Sequence, residues 1–342
     1  MKSVNGNSLI IKEVNKNIIR RVLKSEKKAT KQRLSELTGL STVTIGSILQ
    51  QLLESGEVSE DDLIPSNGGR PAHSFSYNSE YSHVLIIYTH ENEIENKDTI
   101  YVRVINLFGE CIYKEEYIED NISLTTFEPI IDKLINTYPT IKAIGFGLPG
   151  EEYNEVLVVN DYKNLTGQRF SEYYRNKYSI PVIIENDVNS AVIGYCSLHE
   201  NEIDDNCAIV YLYFPTKYCP GAGIYINGKL YKGFKNFAGE IQNLPIDVNW
   251  TNIDFSSFDY SCKAISKLII SITSLLDPKE IVMHGHFLTE KHLINISEIC
   301  NKHLIGITTP ALNISSNFSK DYEQGLNTLT LDLLETKLSL VK

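Results

Sequence analysis

In the stretch IIENDVNSAV, Ile183–Val192, an apolar run ends at Glu185-Asn186-Asp187, and Asp187 lies between Asn186 and Asn189. A carboxylate where a strand hands over to a helix has three uses. It can take a proton as a general base, accept hydrogen bonds from a polar ligand, or cap the helix. The stretch alone leaves all three open, because its partners decide its role. A second set of chemically apt residues lies near the N-terminus, where residues 1–53 hold ten Lys or Arg against three acids, Glu13, Glu26 and Glu36. That balance of +7 leaves −18 for the rest of a chain whose net charge is −11. A basic head on an acidic body is the asymmetry of a protein that meets a polyanion at one end. A solvated helical face with surplus lysines is the alternative.

The elements that position these residues must come from an ordinary globular chain. Its 342 residues allow two or three domains at ~100–200 residues each. Hydrophobic and charged contents of 42% and 22% exclude a disordered chain. No run of ~18 apolar residues spans a bilayer, and the opening MKSVNGNSLIIKEVNKN has neither a signal-peptide core nor a cleavage site. A cytoplasmic protein with no membrane partner is expected. The six cysteines form no Cys-x-x-Cys pair, which argues against a disulfide framework and a thiolate zinc site and fits a reducing compartment.

Three helical patterns open the chain. Ile18, Ile19, Val22 and Leu23 recur at helical spacing in Asn15–Ser25. Thr30 is placed to cap a second helix, KQRLSELTG, ended by Gly39. Ser41 is placed to cap a third, whose stripe is Ile45, Ile48, Leu49, Leu52 and Leu53 and which Gly56 stops. Two short helices joined by a glycine-containing turn are a helix-turn-helix, whose second helix enters the major groove; an αα-hairpin used for dimerisation is the alternative. Thr42, Thr44, Ser47 and Gln50, with Gln51, are the candidate base or phosphate contacts on that helix, and Lys16, Arg20, Lys27, Lys28, Lys31 and Arg33 the candidate phosphate contacts. GEVSEDD and HSFSYN then read as strands flanking LIPSNGGRPA, a wing that projects Arg70 beside Pro71 toward an A·T-rich minor groove.

Beyond the head, HVLIIY, TIYVRVIN, AIGFGL, PVIIEN and AIVYLYF are strand-like runs separated by helical stretches, which argues for largely parallel sheets covered by helices. GIYINGKLY carries an Asn-Gly hairpin turn. Taken in order, LSELTGLSTVTIGSILQQLLESGEV, NGGRPA, GFGLPG, NLTG, ENDVNSA, GAGIYINGKLYKG and AGEI resemble the ROK family of repressors and sugar kinases, in particular its repressor branch. The resemblance runs from about Asn15 to Glu240. It implies a winged helix-turn-helix over residues 1–80 and an α/β, actin-like (ribonuclease H-like), two-lobed sugar-kinase-type body over 81–342. Lobe 1 would be about 81–195 plus the C-terminal helix, and lobe 2 about 196–320.

Phosphoryl transfer needs a phosphate cradle and a metal as well as a base. Where the family's kinases carry a glycine-rich first phosphate loop, this chain reads YTHENEIENKDTI, without a glycine and with Glu91, Glu93 and Glu95. The second loop reads FPTKYCPGAGIYI, with prolines at 215 and 220, and the glycine pair near the base is reduced to Gly285. Asn243 stands where many members have the first zinc-site histidine, and only Cys262 follows, fewer than the roughly four ligands structural zinc requires. No catalytic residue, cofactor or metal is expected. By match to the family's motifs, Asn164, Asn186, Asp187 and Glu240 would contact sugar hydroxyls, and Asn243 could replace one histidine hydrogen bond.

The leading expectation is a repressor of carbohydrate genes that binds a partly palindromic, A·T-rich DNA operator as a homodimer or tetramer and senses a sugar or phosphosugar. An ATP-dependent sugar kinase with an extra head and a ligand-independent DNA-binding scaffold are the alternatives.

Overall fold

The computed structural model describes residues 4–64, 72–92, 97–119, 121–200, 202–203 and 206–335. Its first helix, α1 (Val4–Glu26), extends well beyond the Asn15–Ser25 pattern. A short strand β1 (Lys28–Thr30) follows, then α2 (Lys31–Thr38) and α3 (Thr42–Ser55). The caps are those the sequence indicates: Thr30 Oγ1 accepts from Arg33 N at 3.2 Å and Ser41 Oγ from Thr44 N at 3.1 Å. Gly39 and Gly56 close the two helices in left-handed conformations, φ 70° and 78°. Strands β2 (Val58–Ile64) and β3 (Ala72–Tyr77) form the wing hairpin, and β1 adds antiparallel to β3. The head closes on Ile19, Leu23, Leu34, Ile45, Ile48, Leu49 and Leu52. Arg70 and Pro71, the expected wing tip, lie outside the described residues.

The body repeats one topology twice. The first sheet comprises β4 (His83–Asn92), β5 (Lys97–Asn106), β6 (Cys111–Glu119), β7 (Ile141–Leu148) and, after the small hairpin β8 (Gly150–Tyr153)–β9 (Val156–Asn160), β10 (Val182–Asn186). Its order is β10-β7-β4-β5-β6, antiparallel through β4-β5-β6 and parallel through β4-β7-β10. Helices α4 (Glu128–Thr137) and α5 (Phe170–Tyr178) cover one face, and α6 (Asp187–Leu198) leads to the second lobe. There β11 (Ala208–Tyr213), β12 (Gly221–Ile226), β13 (Lys229–Leu230), β14 (Glu280–His284) and β15 (Ala311–Ile314) stand in the order β13-β12-β11-β14-β15. The β12–β13 turn is the expected Asn-Gly pair, with positive φ at Asn227 and Gly228. Helices α7 (Phe258–Leu276) and α8 (Glu290–His303) cover that sheet's outer face, and α9 (Phe318–Asp332) returns between the sheets.

The central core is an apolar layer in which α6 and α9 sit between Val84, Ile86 and Tyr88 of the first sheet and Ile209, Tyr211 and Val282 of the second. The two helices cross at two glycines. A Cβ on Gly194 would lie 1.8 Å from the Asp321 carbonyl oxygen, and one on Gly325 would lie 1.8 Å from that of Ser190. This is the two-lobed, actin-like body expected, in five layers of helix, sheet, helix pair, sheet and helix. Among the described residues no helix is long and apolar enough to cross a membrane.

Candidate functional site

The parallel strands β7 and β10 deliver their C-terminal ends to one cleft between the lobes, where ligands of open α/β sheets bind. The Pro149 turn that ends β7 forms its floor, and β10 feeds straight into α6. Asn186 is the N-cap of α6: its Oδ1 accepts from Val188 N at 2.9 Å and Asn189 N at 3.1 Å. Asp187 is the first residue of that helix, and its Oδ1 also accepts from Val188 N, at 2.9 Å. From across the cleft Glu240 enters on the loop after β13. Gly239 makes this possible, since at φ 99° a Cβ there would lie 2.0 Å from the Ala222 carbonyl oxygen.

Asn186, Asp187 and Glu240 therefore meet in one cleft, where Glu151, Asp161, Asn189 and Gln242 join them. Burial raises the Asp187 carboxyl to about 7, with Asp161 and Glu240 adding to the shift against the Val188 amide. Glu240 is raised by burial, and Asp161, at the solvent-exposed rim, by the surrounding walls and by the charges of Glu240 and Asp98. Beneath them Glu151 is buried, and burial and Glu185 push its carboxyl upward. Lys232 bridges the pair at 3.1 Å to Glu151 and 2.8 Å to Glu185, while Asn189 Nδ2 donates to Glu151 at 2.5 Å. Among the described residues, no Lys, Arg or His is a wall of the cleft. Carboxylates and amides converging on a small polar space can take paired hydrogen bonds from adjacent hydroxyls.

Two expected contacts do not join this set. Asn164 is exposed, donates to Asn121 Oδ1, and is not a wall of the cleft; Asp161, three residues earlier, occupies the rim instead. Asn243 donates to the Glu240 carbonyl oxygen at 3.4 Å and faces an apolar hollow with Phe237, Leu244 and Leu275, because the single 3-10 turn Ile241–Asn243 rotates it away. Glu151, Asp161 and Gln242 were not anticipated. The only local signals were an acid directly after GFGLPG and another directly before the Tyr-Lys-Asn-Leu segment.

On the head, Thr42, Ser47 and Gln50 are exposed along one side of α3, and Thr44 is half-buried with its hydroxyl 2.9 Å from Ser41 Oγ. Val43, passed over because it lies off the apolar stripe, is 81% exposed on that side and presents methyls of the kind that meet a thymine methyl. Gln51 is turned back to the Ser47 carbonyl oxygen at 3.1 Å. Among the basic residues, Lys31 is exposed at the start of α2, and Arg33 is exposed but paired with Glu26 at 3.1 Å. Arg20 departs from expectation as a phosphate contact. Its guanidinium makes a two-pronged pair with buried Glu57, at 2.6 and 2.7 Å, and so is committed to holding α1 on the wing.

Residues 97–252 match the model of the ROK family. The match lies within the body and covers less than half of the chain. A xylose repressor of Caldicellulosiruptor bescii is 27% identical over 255 residues, covering 71% of this chain and 61% of the relative. The Bacillus subtilis xylose repressor is 26% identical over 248 residues, covering 70% and 62%. The matched part thus spans about three-fifths of the length of these relatives. Among solved structures, a ROK-family transcriptional regulator homologous to the E. coli MLC protein superposes with a TM-score of 0.69 at 14% identity, covering 95% of this chain and 98% of that one. A ROK hexokinase of Thermus thermophilus gives 0.57 at 15% identity, covering 74% and 100%. These likenesses show the fold: the regulator matches head and body together, the hexokinase less of the chain.

Proposed function

We propose that this ROK-family chain is a sugar-responsive transcriptional repressor of carbohydrate genes, with a head at residues 1–80 that binds DNA and a body at 81–342 that senses a sugar without phosphorylating it. The carrying observation is the fusion of a winged helix-turn-helix to a two-lobed body whose cleft gathers Asp187, Glu240 and Asn186. The xylose repressors among its relatives support an aldose effector. Thr42, Ser47 and Gln50 on α3 would face base edges, with Lys31, Arg33 and Arg70 on the backbone and minor groove. A two-fold dimer would match a partly palindromic operator. Against phosphoryl transfer stands the absence of any glycine in the sequence YTHENEIENKDTI, where phosphates would need close backbone approach.

Duplexes selected from a randomised DNA pool by the full chain, then titrated with pentoses, hexoses, N-acetylhexosamines and their phosphates, test this reading. A symmetric site is expected whose affinity one sugar changes, with that response lost in Asp187→Ala and Glu240→Ala. Recovery of no preferred duplex, or ATP-dependent phosphorylation of any sugar in the panel, would sink it.

A further inference from the structure

The loop from β11 to β12 walls the cleft with Pro215, Tyr218, Cys219 and Pro220. In its middle the amides of Thr216 and Lys217 point at one target. Thr216 N donates to Glu91 Oε1 and Lys217 N to Glu91 Oε2, each at 2.9 Å, and the Tyr213 hydroxyl reaches Oε1 at 3.3 Å. Glu91 belongs to β4, in the opposite lobe, and is 8% exposed. Consecutive backbone amides converging on a pair of oxygens form the concavity with which proteins hold phosphates and other anions. Across the same hairpin buried Asp98, on β5, accepts from the Tyr218 hydroxyl at 3.0 Å and pairs with Lys217 Nζ at 3.4 Å.

We infer that Glu91 is an internal anion: its carboxylate fills a phosphate-type nest in the second lobe and, with Asp98, positions the loop that walls the cleft. An occupied nest refuses an external oxyanion twice over, through the lost donors and through like-charge repulsion. The same bonds join β4 and β5 of one lobe to the wall of the other, so they set how the Tyr218–Gly221 segment meets whatever the cleft holds. This second consequence rests on the sugar-sensing reading; the first does not.

The probe is inorganic phosphate, titrated against the full chain at constant ionic strength while thermal unfolding is followed. Wild type is expected to show no saturable shift beyond that of chloride. Glu91→Ala, with its amides freed, is expected to gain saturable stabilisation and bind phosphate at least roughly tenfold more tightly than wild type. Glu91→Gln, whose amide oxygen still accepts, should gain less. Equal phosphate binding by wild type and Glu91→Ala, or a folded Glu91→Ala that gains none, overturns the inference. Hydrogen exchange in the wild type gives a reading independent of how the variants fold: slow exchange at Thr216 and Lys217 supports the internal anion, and exchange at the rate of a free loop contradicts it. A phosphate gain in Glu91→Ala without any sugar response in wild type would condemn the sugar-sensing reading and leave the internal anion standing.

Discussion

Asp187 carries an acid at the start of a helix, normally a favourable place for negative charge, yet its carboxyl titrates near 7 because desolvation outweighs the helix amides. The unfolded value is about 3.8, so the folded state holds an extra proton between the two values. The stability this proton brings is complete below about 3.8 and is lost as pH rises through 7. Asp187→Asn removes that loss. Its stability advantage over wild type is expected to widen by about 1–2 kcal/mol from pH 5 to pH 8, after discounting for water in the cleft, as measured by chemical denaturation. An advantage that stays constant over that range would mean that the carboxyl is not desolvated. Above pH 7 the same substitution should weaken effector binding by roughly tenfold or more, since a charged hydrogen-bond acceptor is lost there. Asp187 and Glu240 could be picked out because each sits in a short stretch of familiar type. Asp161 could not, since it reaches the rim only when the β8–β9 hairpin folds beside β10, a long-range contact that no local spacing encodes.

At the scale of elements, the crossing of α6 on α9 has no room for a methyl group on either glycine. Gly325→Ala would drive a Cβ into the Ser190 carbonyl oxygen and Gly194 amide, both backbone, so relief requires the helices to part. A loss of about 1–3 kcal/mol in denaturant unfolding is expected, as for other overpacked sites. Gly46→Ala is the control, because its Cβ would meet nothing within 4 Å at a half-buried position in the middle of α3; a gain of up to about 1 kcal/mol is expected there. Equal effects at the two positions would refute the packing argument. The contrast also shows what the sequence makes legible. Caps and stripes are local, and Thr30, Gly39, Ser41 and Gly56 place α2 and α3 to the residue. The three-residue β1 is not, because it exists only by pairing Lys28–Thr30 with Ser74–Ser76 far along the chain. For the same reason β4, β5, β7, β10 and β11 and the β12–β13 hairpin are recognisable one at a time, β6, β14 and β15 are not read as strands, and the return of the C-terminal helix to the first lobe comes only from the resemblance.

At the scale of the whole molecule, a continuous route from cleft to head runs along α9 among the described residues. At its start Phe318 stacks on Tyr213, a wall of the cleft, with ring centroids 3.8 Å apart. Asp321 is held by the second lobe through the Tyr211 hydroxyl at 3.0 Å and Ser315 Oγ at 2.5 Å, and Glu323 by the first through the Tyr88 hydroxyl at 2.6 Å and Arg103 at 3.1 Å. Just past its end Leu334, together with Leu331, packs into the core of the head, and Glu335 pairs with Arg21 of α1 at 2.8 Å. On the proposed function, a helix gripped by both lobes and rooted in the head would move when the lobes shift, so a ligand that favours one lobe arrangement would change how the head is presented. Leu334→Ala combined with Glu335→Gln should therefore leave sugar affinity close to wild type while reducing the fold-change in operator affinity that sugar produces. A normal coupling factor of this kind is roughly 5–150-fold, so a fall toward unity is measurable by titrating DNA with and without saturating sugar. Linkage supplies a second, independent reading, because operator DNA must alter sugar affinity by the same factor and the two must fall together in the variant. An unchanged factor in a folded double variant would show that the signal reaches the heads by another path.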